Sequence, residues 1–155
     1  MNDRYLFRAK RIDNGEWVEG YLFDDGFENG RMFVGGLVIE EYHGTACDDW
    51  SITGINFYEV DPSTICQYTG LTDKNGNKIW ENDVCRYVNS DECGTQEEIF
   101  VVKYGRHAEF CKINMGFYID WIKTDYYRCD LVFWTENRNI QVIGNIFDNP
   151  ELIHE

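Results

Sequence analysis

Two Asn-Gly pairs, Asn14-Gly15 and Asn75-Gly76, each lie between segments in which bulky and polar side chains alternate. Alternation with a period of two puts successive side chains on opposite faces of a strand, and an Asn-Gly pair reverses the chain within two residues. Together they commit the flanking segments to antiparallel hairpins. In "RYLFRAKRIDNGEWVEGYLF", Tyr5, Phe7 and Ala9 alternate with Leu6, Arg8 and Lys10, and Trp17, Tyr21 and Phe23 resume the pattern after the turn. Asn14-Gly15 predicts a type I′ turn with positive φ at both residues. Gly20, inside the second run, predicts a bulge or the close approach of another backbone.

The second pair sits in "STICQYTGLTDKNGNKIWENDVCRYVN", read as a strand, the turn "TDKNGN", and a strand with Val84, Arg86 and Val88 on one face. Between the hairpins, "RMFVGGLVIEEY" can pair back on its predecessor, with Gly35-Gly36 bending it or starting another hairpin. "HGTACDDWSITG", residues 43–54, has no periodicity and reads as a loop. "INFYEV" is a short strand halted at Asp61-Pro62, because proline cannot donate to a ladder. "SDECGTQEE" reads as an exposed acidic loop. "IFVVKYG", "HAEFCKI", "GFYIDWIK" and "CDLVFW" read as four short strands, and none carries the i, i+3, i+4, i+7 stripe of an amphipathic helix. "NIQVIGNIFDNPELI" is a strand and a final turn at Asn149-Pro150. Short strands at close intervals predict an all-β fold, a small barrel or sandwich. Its 155 residues are expected to form one domain. A subdivision would fall near residue 80, ahead of "ENDV".

Charge excludes several functions. Lysine and arginine number 14 and aspartate and glutamate 28, a net charge of −14. Nucleic-acid binding relies on cations that displace condensed counterions, so direct binding is not expected, and an anionic membrane surface would repel the chain too. The acidity is concentrated: residues 24–61 hold nine acidic groups against Arg31 alone. Such a run reads as a solvated surface, or as an imitation of a phosphate backbone that attracts a basic protein. The N-terminal "MNDRYLFRAK" lacks the apolar stretch of a signal peptide, and no run approaches the roughly 18 apolar residues of a membrane span. A cytoplasmic protein is expected. The six cysteines are then reduced, small apolar fillers of strands.

No constellation of chemistry stands out. Any of His43, His107 and His154 could meet a cysteine in space, but a Cys-His pair is defined by geometry rather than order in the chain. The best metal-like cluster, His43, Cys47, Asp48 and Asp49, lies in a predicted loop without the paired spacing of a zinc site. No Gly-x-x-x-x-Gly-Lys loop is present. Trp17, Trp80 and Trp121 read as core plugs rather than a stacking platform. No cofactor, metal ligand or catalytic residue is assigned. Gln67, Tyr68 and Asp83, beside the second hairpin, are the candidate contact residues.

"FRAKRIDNGEWVEGYLF", "VDPSTICQYTGLTDKNGNKIWENDV" and "VIGNIFDNPEL" resemble, in order and over nearly the whole chain, the YopX family of phage and prophage proteins. Two departures are visible. Ile65-Cys66 stands where the family more usually has Val-Gly, and Asn82 stands where it more often has glycine. The resemblance implies a small, mostly β protein whose C-terminal part is similar to an SH3-like barrel, encoded by a phage or integrated element and acting in the bacterial cytoplasm. It brings no catalytic residues and no activity. The expected role is a non-enzymatic module that binds a protein partner. The alternatives are an acidic DNA mimic aimed at a basic host protein and a hydrolytic or thiol-dependent enzyme; homo-oligomer assembly through an edge strand is compatible with the first reading.

Overall fold

A computed structural model describes residues 5–28, 30–91, 94–109, 112–122, 129–137 and 139–154. Its backbone is dominated by antiparallel strands in two compact units, Met1–Gln67 and Tyr68–Glu155. The all-β expectation holds.

The first unit contains β1 (Phe7–Lys10), β2 (Trp17–Asp24), β3 (Met32–His43) and β4 (Asp48–Val60) in the spatial order β4-β3-β2-β1. Cys66 and Gln67, the first residues of β5 (Cys66–Thr72), pair with Arg8 and Phe7 on the far side of β1. The β1–β2 turn forms where expected, with a different geometry. Gly15 has φ 73°, but Asn82 is the only described non-glycine residue with positive φ, so Asn14 does not adopt the type I′ conformation. Arg11 N donates to Glu16 O at 2.9 Å and Gly15 N to Arg11 O at 3.0 Å, closing a longer loop that needs only one left-handed residue.

Glycine decides how β2, β3 and β4 lie together. A Cβ on Gly20 would stand 2.3 Å from Gly35 O, and one on Gly35 would stand 2.0 Å from Asn56 O. Gly20 therefore marks the close backbone approach expected, and Gly35 lets β3 run on rather than turn. Below this crossing, Ala9, Val34 and Val60 are fully buried with Val18, Leu22, Met32 and Ile65 around them. The Asp61-Pro62 stop is built by side chains. Asp61 caps the 3-10 turn Pro62–Thr64 by accepting from Ser63 N at 2.9 Å, while Thr64 Oγ1 accepts from Lys10 N at 2.9 Å.

The second unit holds the rest of β5 with β6 (Lys78–Trp80), and a five-stranded sheet of β7 (Asp83–Asp91), β8 (Gly94–Glu109), β9 (Lys112–Trp121), β10 (Cys129–Asp130) and β11 (Ile140–Asn145). The order is β10-β9-β8-β7-β11. Among the described residues β10 and β11 do not pair, so this sheet is open and does not close into a barrel, one of the two forms expected. Its core is Ile79, Cys85, Tyr87, Phe100, Val102, Ile119, Leu131 and Ile140. Trp121 fills the gap beside it, edge-on to Phe100 at 5.4 Å and to Trp134 at 5.0 Å. Edge-to-face contact is the favoured arrangement for such rings. Trp80 is buried, in keeping with the core-plug reading, whereas Trp17 is half-buried with the Arg8 guanidinium 4.7 Å from its ring centroid.

Four further expectations need correcting. Residues 43–54 are not a loop: β3 runs to His43 and β4 begins at Asp48, with Tyr42 opposite Asp49 and Ile39 opposite Ile52. "SDECGTQEE" is not a loop either, because the β7–β8 ladder continues to Asp91 opposite Gly94; residues 92–93 lie outside the described ones. "IFVVKYG" and the start of "HAEFCKI" are not separate strands, since one strand, β8, runs from Gly94 to Glu109; Lys112 and Ile113 open β9, and residues 110–111 lie outside the described ones. "CDLVFW" is β10 followed by a helix, α1 (Leu131–Asn137), started by Asp130, whose carboxylate accepts from Val132 N at 2.8 Å. Leu131 and Trp134, three apart, turn inward together. Two inward residues on a seven-residue helix are too few to register as a periodic stripe.

Candidate functional site

The β5–β6 hairpin gathers polar side chains. Asp73 is 6% exposed and opens the "DKNGN" turn. Its Oδ1 accepts from Asn75 N at 2.8 Å and Asn77 N at 2.9 Å, and its Oδ2 from Asn77 Nδ2 and Val142 N, both at 3.1 Å. Burial alone would raise the carboxyl, but these donors outweigh it and hold Asp73 below the usual carboxylate range. Lys74 N donates to Ile140 O at 3.0 Å, so the turn is fastened to β11 at two points. A carboxylate with four donors is engaged in holding backbone, not in moving protons.

Asp83 behaves alike. It is fully buried, and Trp80 N donates to its Oδ2 at 2.8 Å across the β6–β7 turn. Between them Asn82 has φ 65°. Glycine adopts that left-handed conformation at no steric cost, and asparagine is among the few residues that tolerate it. Asn82 is secured by N–H donation to Val102 O at 2.8 Å and by Lys103 Nζ donating to its Oδ1 at 2.9 Å. Of the three candidate contact residues, Asp83 and Tyr68 therefore face the interior, Tyr68 beside Trp80 with ring centroids 5.3 Å apart, while Gln67 is half-buried opposite Phe7.

The C-terminal block is likewise structural. Asn145 Oδ1 accepts from Phe147 N at 3.0 Å and Asp148 N at 2.9 Å, and Asn149 Oδ1 accepts from Asn145 N at 3.3 Å.

Among the described residues, histidine and cysteine do not assemble into a recognisable centre. His43 is exposed, 3.3 Å from Asp48 Oδ1. His107 is buried against Tyr118, its Nε2 4.0 Å from Asp130 Oδ2, and His154 is exposed. Burial, reinforced by the Asp83 and Asp73 charges, pushes the Cys85 thiol well above its usual range, which opposes thiolate formation. No disulfide joins any of Cys47, Cys66, Cys85 and Cys129 to another of the four. No group of three or more metal-ligating side chains converges among the described residues. A concavity of about 440 Å³ is lined by Thr72, Asp73, Lys74, Thr135, Glu136, Asn139 and Ile140, with neither histidine nor cysteine.

The conspicuous feature lies elsewhere. In the β3–β4 ladder, directly opposed residues share a face. Leu37 opposes Ile55, Ile39 opposes Ile52, Glu41 opposes Trp50 and His43 opposes Asp48; a bulge between Val38 and Ile39 absorbs Thr53 and preserves the alternation. Tyr21, opposite Gly35, and Phe23, opposite Phe33, extend the same face onto β2. Tyr21, Phe23, Leu37, Ile39, Trp50, Ile52 and Ile55 are each between 50% and 70% exposed. The other face of the same strands carries the buried Val34 and Val60. Sequence reasoning missed this face because residues 43–54 were read as a loop; Trp50 and Ile52 within that segment were the available signal.

The family model described as YopX protein matches residues 6–154. No curated protein matches. A similar solved structure is that of protein EF1440 from Enterococcus faecalis, at 25% identity and a TM-score of 0.49, covering 95% of this chain and 96% of that one. No helix among the described residues is long and apolar enough to cross a membrane.

Proposed function

This chain belongs to the YopX family, and we propose that it is a non-enzymatic protein-binding module, a phage or prophage accessory protein of the bacterial cytoplasm, that works through the exposed apolar face of β2, β3 and β4. The observation that carries this reading is the run of seven large apolar side chains left half or more exposed on one sheet face. At about 100 Å² each they present about 700 Å² of apolar surface, above the few hundred typical of a monomer and near the 800 Å² one partner gives to a standard interface.

The blocks that resemble the family support it from the other side. Their polar residues Asp61, Asp73, Asn82, Asp83 and Asn145 are engaged by backbone or by neighbouring side chains, which leaves them little capacity for chemistry. The acidic run of residues 24–61 is interleaved with this apolar face, which favours a protein contact with an acidic rim over imitation of a uniformly charged phosphate backbone.

The test compares proteins cross-linked in a bacterial lysate to the wild type and to a Trp50→Ser/Ile55→Ser variant of unchanged circular dichroism. Partners retained by the wild type and lost by the variant are expected; identical captured sets would overturn the reading.

A further inference from the structure

The charges around the apolar face narrow what can cover it. Glu41 and Asp48 project from this face beside Trp50 and Ile52, and its distal part carries no lysine or arginine, only His43. Two such faces apposed would bring like charges together, which an interface avoids. An occupant should be apolar and carry a cation able to meet Glu41 and Asp48.

This chain carries such a surface in its second unit. Beyond the five-stranded core, β8 and β9 continue as a ribbon in which Tyr104 opposes Phe117, Arg106 opposes Met115 and Ala108 opposes Ile113, all on one face. Tyr104 is 51%, Ile113 67% and Met115 63% exposed, Arg106 is exposed too, and no carboxylate stands among these six positions.

We propose that the occupant of the acidic apolar face of β2–β4 is a second copy of this chain, presenting the basic apolar face of its β8–β9 ribbon, with Arg106 against Glu41 and Asp48. The inference rests on the reading of the β2–β4 face as a docking surface. The contact is heterologous, so copies join as a closed pair that uses it twice or as an open chain. The smaller ribbon face limits each contact to about 300–400 Å² per partner, the size of a transient interface.

Sedimentation velocity of the purified chain up to about 100 µM tests it, with an acid-reversed variant, Glu41→Lys/Asp48→Lys, and a base-reversed variant, Arg106→Glu. The wild type is expected to self-associate, and each variant alone to do so at least about tenfold more weakly. An equimolar mixture of the two variants restores association, because reversed charges meet reversed charges and native meet native. Restoration also shows that both variants are folded.

A wild type that stays monomeric overturns the inference, as does association indifferent to the reversals. Tighter association of the acid-reversed variant alone overturns it too, since the proposed contact would then set the new cations against Arg106. A monomeric wild type whose lysate partners still depend on Trp50 and Ile55 would end this inference and leave the proposed function standing.

Discussion

Replacing Asp73 with asparagine changes one atom and reverses the hydrogen bonding at one end of the side chain. Each carboxylate oxygen of Asp73 accepts two bonds. Whichever way the amide is turned, its NH2 group confronts two N–H donors. Bonds to a charged acceptor contribute about 1.5–3 kcal/mol each. Taking the low end for two of them, since Asn77 can turn toward water, gives a loss of about 3 kcal/mol against a typical domain stability of about 5–15 kcal/mol. In urea, with a slope near 2 kcal/mol per molar, the midpoint should fall by about 1.5 M. Tryptophan fluorescence reports it, because Trp80, Trp121 and Trp134 belong to the same unit as Asp73.

The pH dependence gives an independent check of the sign. The folded Asp73 carboxyl titrates below the ordinary value of 3.8. Its stabilisation is thus complete above that value and disappears as pH falls through the lower, folded one. The wild type should lead Asp73→Asn by a constant margin from pH 7 to about 5, and the margin should close only below about pH 4. A margin under about 0.5 kcal/mol at pH 7, or one that closes between pH 7 and 5, would refute the clamp.

Asn82 and Gly35 make opposite demands on the backbone. Asn82→Gly should be neutral or slightly stabilising in thermal melts and Asn82→Val should cost about 1–2 kcal/mol, because a β-branched residue resists φ 65°. Gly35→Ala should lower stability by about 1–3 kcal/mol, since its methyl group would displace the β4 backbone at Asn56; equal melting temperatures would contradict the crossing. In native alkylation at pH 8, exposed Cys47 should react first and Cys85 only on unfolding, whereas equal rates would contradict the raised Cys85 thiol.

The sequence made legible what local chemistry decides. Both Asn-Gly reversals, the strand ending at Asp61-Pro62 and the final turn at Asn149-Pro150 could be read directly, because each depends on residues within a few positions of one another; the close approach at Gly20 was legible from the glycine alone, though its partner, Gly35, was not. The length of β3, β4 and β8 could not. The outer ends of β3 and β4 are exposed on both faces, so no burial alternation marks them, and strand structure there follows from the partner opposite. Asp73 and Asp83 illustrate the same limit at the candidate site. Their residue types suggest surface contacts, yet their donors, Val142 N for Asp73 and Trp80 N for Asp83, draw them inward, and the first of these is 69 positions away. Asn82 was flagged as standing in a glycine position, and its left-handed φ gives the physical reason asparagine is accepted there.

Hydroxyl-radical footprinting tests the central claim most directly, by comparing the dilute purified chain with the same chain inside the bacterial cell that expresses it. Trp50, Ile52, Ile55, Tyr21 and Phe23 should react readily in the dilute sample and be protected in the cell, while Phe133, 51% exposed on α1, reacts equally in both. Equal reactivity of Trp50, Ile52 and Ile55 in the two settings would mean that nothing covers the face, contradicting its role as the protein's working surface.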